Sequence, residues 1–301
     1  MADNPTVLIF GPTGNVGCTA AITANSRGAK VWLAMRDPSK TIKDLDTDSD
    51  YSRVQADLSN PSSLESAVKQ SGAKAAFVYV VHDIEDHMKA SFTALKDAGI
   101  TYIVLLSSYG VRGPASDEGN MKSAIPRVHA RAELALQETG VPYTAIRPAY
   151  FNTNILTDLS GIKSGHASIP FPDAIFDYIS PHDIGSVAGS LVVNQPVETS
   201  KIVYLCGPEL MTQKDAYAVI GKVLNRPIEV TEIDGEDYVK KSPFPEFVAR
   251  SLLTVWALQL DKEKAYPAKL YNEAAANIKN YSGKEPTRFE DWVKENENIF
   301  A

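Results

Sequence analysis

With 301 residues, 44% apolar and 22% charged, the chain reads as an ordinary globular protein, long enough for one large domain or two smaller ones. Its formal net charge of −7 is spread without any strongly basic stretch, which excludes the electrostatic footprint of a nucleic-acid binder. No apolar run is long enough to span a bilayer, no signal-peptide pattern opens the chain, and its 2 cysteines match no metal-ligand spacing, so a cytoplasmic protein with no membrane contact and no metal is expected.

The first element carries the strongest signal. Thr6–Phe10 is a short apolar run that ends in Gly11-Pro12-Thr13-Gly14-Asn15-Val16-Gly17, and Cys18–Ser26 continues as a helix of small residues. Strand, glycines, then helix is the order a dinucleotide-binding turn requires. Gly11 permits the sharp exit from the strand, Gly14 lets backbone approach a pyrophosphate, and Gly17 allows close packing. Phosphate then sits at a helix N-terminus, against unpaired N–H groups and the positive end of the dipole. The spacing is GxxGxxG, so the triplet gains its weight from its position after a strand.

A second strand, Lys30–Met35, ends in Arg36-Asp37-Pro38. Roughly 20 residues past the glycines, an acid would bind the ribose 2′-hydroxyl of NAD and an arginine the 2′-phosphate of NADP. The guanidinium fork matches a phosphate dianion, and Arg36 points to NADP(H). Tyr51–Gln55 is a short third strand leading to Asp57-Leu58, where a carboxylate either accepts from an adenine amino group or caps the following helix. That helix starts at Pro61 behind Asn60. Ala75–Val81 is continuously apolar, as in a central parallel strand, and Asp83–Ala98 reads as the next helix. His82 and His87 are five residues apart, a poor spacing for a shared helix face.

Tyr102–Leu106 is the fifth strand and runs into Ser107-Ser108-Tyr109-Gly110 and a loop to about Asn120. Pro126–Thr139 is helical in pattern, and Tyr143–Arg147 is a sixth strand stopped by Pro148. The alternation argues for an α/β fold: a Rossmann-type, doubly wound parallel sheet with a smaller C-terminal α+β lobe. The boundaries read as 1–150 for the dinucleotide-binding domain and 151–301 for a substrate lobe, with segments around 178–206 able to return to the sheet. Residues 151–173 read as irregular, Tyr178 to about Val193 opens a helix, Ile202–Cys206 is a strand and Thr212–Leu224 a helix.

These motifs, together with His129-Ala-Arg-Ala-Glu133, Gly140-Val-Pro-Tyr-Thr144, Arg147-Pro148-Ala-Tyr150-Phe151-Asn152, Ser180-Pro-His-Asp183 and Pro286-Thr-Arg-Phe289, resemble the NmrA-like branch of the atypical short-chain dehydrogenases. That branch includes quinone reductases and isoflavone-reductase-like enzymes. The resemblance implies NADP(H) as cofactor, with Gly11, Thr13, Gly14, Asn15, Val16 and Gly17 at the pyrophosphate and Arg36 at the 2′-phosphate. It implies Asp57 and Leu58 at the adenine, Val80 and Val81 toward the nicotinamide ribose, Tyr150 and Phe151 at the nicotinamide, and Ser107 among the cofactor contacts. The usual Tyr-x-x-x-Lys pair is replaced by His129-x-x-x-Glu133, with Glu133 read as a helix carboxylate. His129, whose intrinsic pKa is near ~6.5, is then the candidate acid, with Ser108 and Tyr109 placing the substrate oxygen.

The expected function is hydride transfer from NADPH to a quinone, conjugated carbonyl or related aromatic small molecule, with the Tyr150, Phe151, Phe171 and Phe176 cluster as an aromatic wall or as lobe core. The alternative is an NADP(H)-binding redox sensor without turnover. A monomer or homodimer is expected.

Overall fold

Strand β1 (Thr6–Phe10) lies inside a wholly parallel, seven-stranded sheet. With β2 (Lys30–Met35), β3 (Tyr51–Gln55), β4 (Ala75–Tyr79), β5 (Tyr102–Leu106) and β6 (Tyr143–Pro148), the order is β3-β2-β1-β4-β5-β6, and the strand Ser200–Leu205 follows β6 at the edge. Strand order reverses between β1 and β4, so the ligand crevice of such a sheet opens beyond their carboxyl ends. The computed structural model describes residues 4–42, 44–45, 50–196, 198 and 200–300. The opening residues 1–3, part of the stretch read for a signal peptide, lie outside it.

Period-two alternation sorts the strands onto two faces. Leu8, Phe10, Val78, Ile103 and Leu105 join one core with Leu64, Phe92, Leu95 and Leu136, contributed by α2 (Pro61–Ser71), α3 (Lys89–Ala98) and α4 (Ala124–Thr139). Each such side chain taken fully out of water contributes about 1.5–3 kcal/mol. Val7 and Ile9 are equally buried on the other face, which α1 (Asn15–Ser26) shares with the helix Pro181–Val193. Those two helices approach through small residues. A Cβ on Gly185 would stand 2.6 Å from Val16 O, and one on Gly189 would stand 2.4 Å from Ala20 O.

By its contacts, the chain divides into a first unit of Met1–Pro148, Pro181–Leu205 and Asn277–Lys284, and a second of Ala149–Ser180, Cys206–Ala276 and Glu285–Ala301. The second unit has its own core, including Phe176, Tyr178, Tyr217, Trp256, Phe289 and Trp292. It contains two small sheets, His166–Ile169 parallel to Glu229–Glu232 and Ile175–Phe176 antiparallel to Met211–Thr212. The buried carboxylate of Asp177 ties three of its segments together. It accepts from Tyr150 N (2.8 Å), Gly207 N (2.7 Å) and the Tyr266 hydroxyl (3.0 Å).

Two local expectations change. The third helix begins at Lys89, not Asp83, because Asp83, His87 and Met88 all have positive φ and the Asp86 carboxylate caps Met88 N and Ala90 N. The stretch 151–173 is ordered into a 3-10 helix (Asn152–Asp158), a short helix (Leu159–Ser164) and the strand His166–Ile169. Each is too short to show a period, and that strand's partner lies far along the chain. Among the described residues no helix is long and apolar enough to cross a membrane.

Candidate functional site

The glycine turn sits at the carboxyl end of β1, at the switch point of the sheet. Gly11 takes φ +69°, which glycine adopts without strain, and its Cα faces the Tyr79 ring that ends β4. Gly17 is locked in place: a Cβ there would stand 2.2 Å from Gly11 O. Gly14 is different. It is the N-cap of α1 in extended conformation, its side-chain direction is open, and its nearest potential contact is Gly11 O at 3.6 Å. No side chain caps α1 and no acidic residue stands in its first turn, while Thr13, Gly14 and Asn15 are exposed. The first N–H groups of α1 therefore face outward with their partial positive charge, a cradle suited to an anion.

Arg36 is exposed just past β2, and its guanidinium makes no hydrogen bond or ion pair among the described residues. Beside it, Asp37 is committed to a turn: one carboxylate oxygen accepts from Ser39 N (3.0 Å) and the Ser39 hydroxyl (2.6 Å). These bonds hold its carboxyl below the usual range. Asp57 forms the same turn with Ser59, at 2.9 and 2.7 Å, and is likewise pushed down, chiefly by those bonds, with a smaller contribution from Arg36. Leu58 points into the core, and its carbonyl accepts from the buried Ser91 hydroxyl. Only its backbone remains for an adenine. Val80 is 7% exposed within the same core, Val81 is half-buried, and Val81 N meets Met88 Sδ at 3.2 Å.

Beyond β5 the structure builds a buried polar network whose extent the motifs did not reveal. Glu133 on α4 accepts from the Ser107 hydroxyl and from Arg147 Nε (2.9 Å) and Nη2 (2.6 Å). Arg147, fully buried on β6, also donates from Nη1 to the carbonyls of Val111 (3.0 Å) and Gly113 (2.8 Å) and to the Tyr204 hydroxyl (2.7 Å). Both charges are thus paired and hydrogen-bonded, the condition under which an interior tolerates them. The network anchors the loop after β5 and uses the Ser107 hydroxyl internally. A glutamate at this place on the helix and an arginine on the adjacent strand were the sequence signal for it.

His129 lies one turn before Glu133 on α4. Burial, with His82 as a neighbour, pushes its imidazole down to about 4, and its buried Nδ1 has no hydrogen-bond partner among the described residues. The two rings stand edge to face at 5.9 Å. Burial thus favours the uncharged ring. Ser108 Oγ accepts from Gly110 N (3.2 Å) and shapes the turn. Tyr109 is 6% exposed, edge-on to Tyr204, with the Arg112 guanidinium 3.7 Å above its ring. Its hydroxyl is buried, and its ring packs between these two neighbours.

In the second unit, Tyr150 stacks on Phe176 at 4.0 Å and meets Tyr178 edge-on at 5.6 Å, and Phe151 bridges to Ile179. Phe176 is core and Phe171 packs against it, while Tyr150 lines a cavity. Asn152 is fully buried, and among the described residues neither of its amide atoms has a hydrogen-bond partner. Such a group costs about 1–3 kcal/mol unless a polar group meets it.

A family model described as the NmrA-like family matches residues 3–293 of the chain. The chain is 34% identical to the nitrogen metabolite regulation-like protein bik4 of Gibberella fujikuroi, covering 96% of this chain and 95% of that protein. It is 26% identical to the (4-alkanoyl-5-oxo-2,5-dihydrofuran-3-yl)methyl phosphate reductase of Streptomyces griseus, over 98% and 99% of the two chains. Among solved structures, the NADPH-dependent quinone oxidoreductase QOR2 of Escherichia coli, complexed with NADPH, superposes with a TM-score of 0.76 at 16% identity. That match covers 97% of this chain and 100% of the other, and it shows a shared fold.

Proposed function

Since the chain belongs to the NmrA-like family, we propose that it is an NADPH-dependent reductase acting on a quinone, conjugated carbonyl or related aromatic small molecule. The observation that carries this reading is the uncapped start of α1 with open space before Gly14, at the switch point of the sheet. When bound, NADPH supplies the hydride. Gly11, Thr13, Gly14, Asn15, Val16 and Gly17 hold its pyrophosphate against the helix N-terminus. Arg36 takes the 2′-phosphate, favoured over a ribose diol because Asp37 is occupied by Ser39. Asp57 and the Leu58 backbone border the adenine, while Val80, Val81 and Ser107 border the ribose. For Tyr150 and Phe151, in the second unit, the family resemblance alone carries the nicotinamide assignment.

The chain then contributes alignment and hydrogen bonding in place of a charged acid. His129 acts as a neutral hydrogen-bonding group toward substrate, with Ser108 shaping the adjacent turn, and the product proton comes from water. The reductase named among the relatives and the quinone oxidoreductase among the structures support the reading. A second reading is an NADP(H)-binding regulator without turnover. The lack of a charged acid and the regulatory name of the 34%-identical relative favour it.

The deciding experiment mixes purified protein with NADPH or NADH and a panel of quinones and conjugated ketones, following cofactor absorbance. Faster oxidation of NADPH than of NADH with at least one acceptor supports the reductase. Tight NADPH binding with no acceptor consumed overturns it in favour of the regulator.

A further inference from the structure

The second unit carries a half-open cavity of about 520 Å³ that no role assigned above uses as a whole. It lies within the range of small-molecule sites and is much larger than an ordered water requires. Its walls are aromatic: Tyr150, Tyr178, Tyr217, Tyr238 and Trp256 all line it. Among its polar groups is a single carboxylate, Asp158, which stands at the start of the helix Leu159–Ser164. The Tyr217 hydroxyl donates to Asp158 Oδ2 at 3.0 Å, the Gly161 backbone N–H also donates to this carboxylate, and among the described residues it meets no cation.

The wall also carries donors. The hydroxyls of Tyr150 and Tyr178 are engaged by no hydrogen bond within the described residues, although Tyr178 is only 2% exposed. Burial raises both phenols well above their ordinary range, so both remain protonated and able to donate. A flat aromatic ligand satisfies the walls, yet a bare hydrocarbon would strip water from the carboxylate and phenols without replacing it. Lys241 lines the cavity as well, so charge there is mixed and selection falls to hydrogen bonding. What fits has a hydroxyl to give and an oxygen to receive.

We propose that this cavity binds a planar aromatic ketone or quinone bearing a free hydroxyl, with Asp158 accepting from that hydroxyl and the Tyr150 and Tyr178 phenols donating to its carbonyl oxygen. This names the substrate class of the reductase proposed above and rests on that reading. Asp158 is then the specificity residue, oriented by Tyr217. A site built to bond a hydroxyl discriminates strongly against the analogue lacking it, because its own polar groups are left unpaired.

The test is calorimetric titration of the full-length protein, with NADPH present, by hydroxyanthraquinone and by anthraquinone at a pH that keeps the hydroxyl protonated. Wild type should bind the hydroxylated probe at least about tenfold more tightly. Asp158→Asn and Asp158→Ala should reduce that preference to near unity. Tyr178→Phe, which retains the ring, should weaken both probes alike through the lost carbonyl contact. Circular dichroism and NADPH titration of each variant establish that the fold is intact. Equal affinity of wild type for the two probes overturns the proposal, as does a preference that survives both Asp158 variants. Assaying NADPH oxidation in parallel separates the two readings. Hydroxyl-selective binding without oxidation refutes the reductase and retains the cavity's ligand class. Quinone reduction without hydroxyl preference retains the reductase and refutes the assignment of the cavity.

Discussion

His129 carries its ring on α4 with Nδ1 buried and His82 at its edge. An unfolded chain titrates histidine near ~6.5, whereas here burial pushes it down to about 4. Between those values the unfolded chain takes up a proton that the fold refuses. The stability associated with a neutral His129 is therefore complete above about pH 6.5 and is lost as pH falls toward 4. Asp177 works in the opposite sense: burial raises it to about 6, so its folded form holds a proton that the unfolded chain has released, and its contribution is lost as pH rises from about 4 to 6. Comparing wild type with His129→Gln cancels the Asp177 effect. The variant should gain about 1–3 kcal/mol on wild type between pH 7 and pH 4, measured by urea unfolding across pH. A constant difference would show that His129 is not buried neutral. In the reaction, wild type should show no limb near pH 6.5 that depends on His129. Arg36 carries the matching prediction for cofactor choice. Arg36→Ala should weaken NADPH binding about ten- to a hundredfold and leave NADH nearly unchanged, by fluorescence titration. An arginine past β2 was legible in the sequence because its position alone gives it meaning. The protonation state of His129 and the buried hydroxyl of Tyr109 were not, since both depend on neighbours distant in the chain.

The β1–turn–α1 element separates its two inner glycines by experiment. Gly14 has extended backbone and open space, so Gly14→Val should fold normally and lose NADPH binding by more than about tenfold, its side chain filling the proposed pyrophosphate space. Gly17→Ala should instead destabilise the protein, by about 1–3 kcal/mol, because its methyl would meet Gly11 O and force α1 away from the turn. Thermal unfolding and cofactor titration of both variants check the pair. Gly14→Val with normal affinity would move the cofactor elsewhere. On α4, Glu133→Gln leaves the buried Arg147 without its anion and should cost about 3–5 kcal/mol, read by denaturant unfolding. A near-neutral result would mean that Arg147 finds another partner. The strands of the sheet were legible because buried parallel strands are continuous apolar runs. The helix after β4 starts later than its sequence pattern suggests because Asp86 caps it from within an apparently helical stretch.

Across the whole chain, the sheet is completed late. The first unit draws on Pro181–Leu205, although the sequence pattern of strands and helices looks finished by Pro148. That return was only partly legible, since Ser200–Leu205 reads as an isolated strand until it is seen hydrogen-bonded along β6 from Tyr143↔Ser200 to Pro148↔Leu205. A fragment ending at residue 150 would lack three things. It would lose the helix Pro181–Val193, exposing Ala20 and Ala24 of α1, which are fully buried in the intact chain. It would leave β6, buried along its whole length, as an open edge able to pair with other chains. It would remove Tyr204, which accepts from the buried Arg147 guanidinium and donates to the Val111 carbonyl. The expected outcome is a fragment that aggregates or fails to unfold cooperatively and does not bind NADPH, although every glycine of the turn is present. Adding back the helix alone should not suffice, because the edge of β6 and the Arg147 network both need the Ser200–Leu205 strand. Circular dichroism melts and NADPH titration of the fragment provide the measurement. A monomeric fragment 1–150 with a cooperative melt and full-length affinity would show that the returning segments are accessory to the dinucleotide-binding unit.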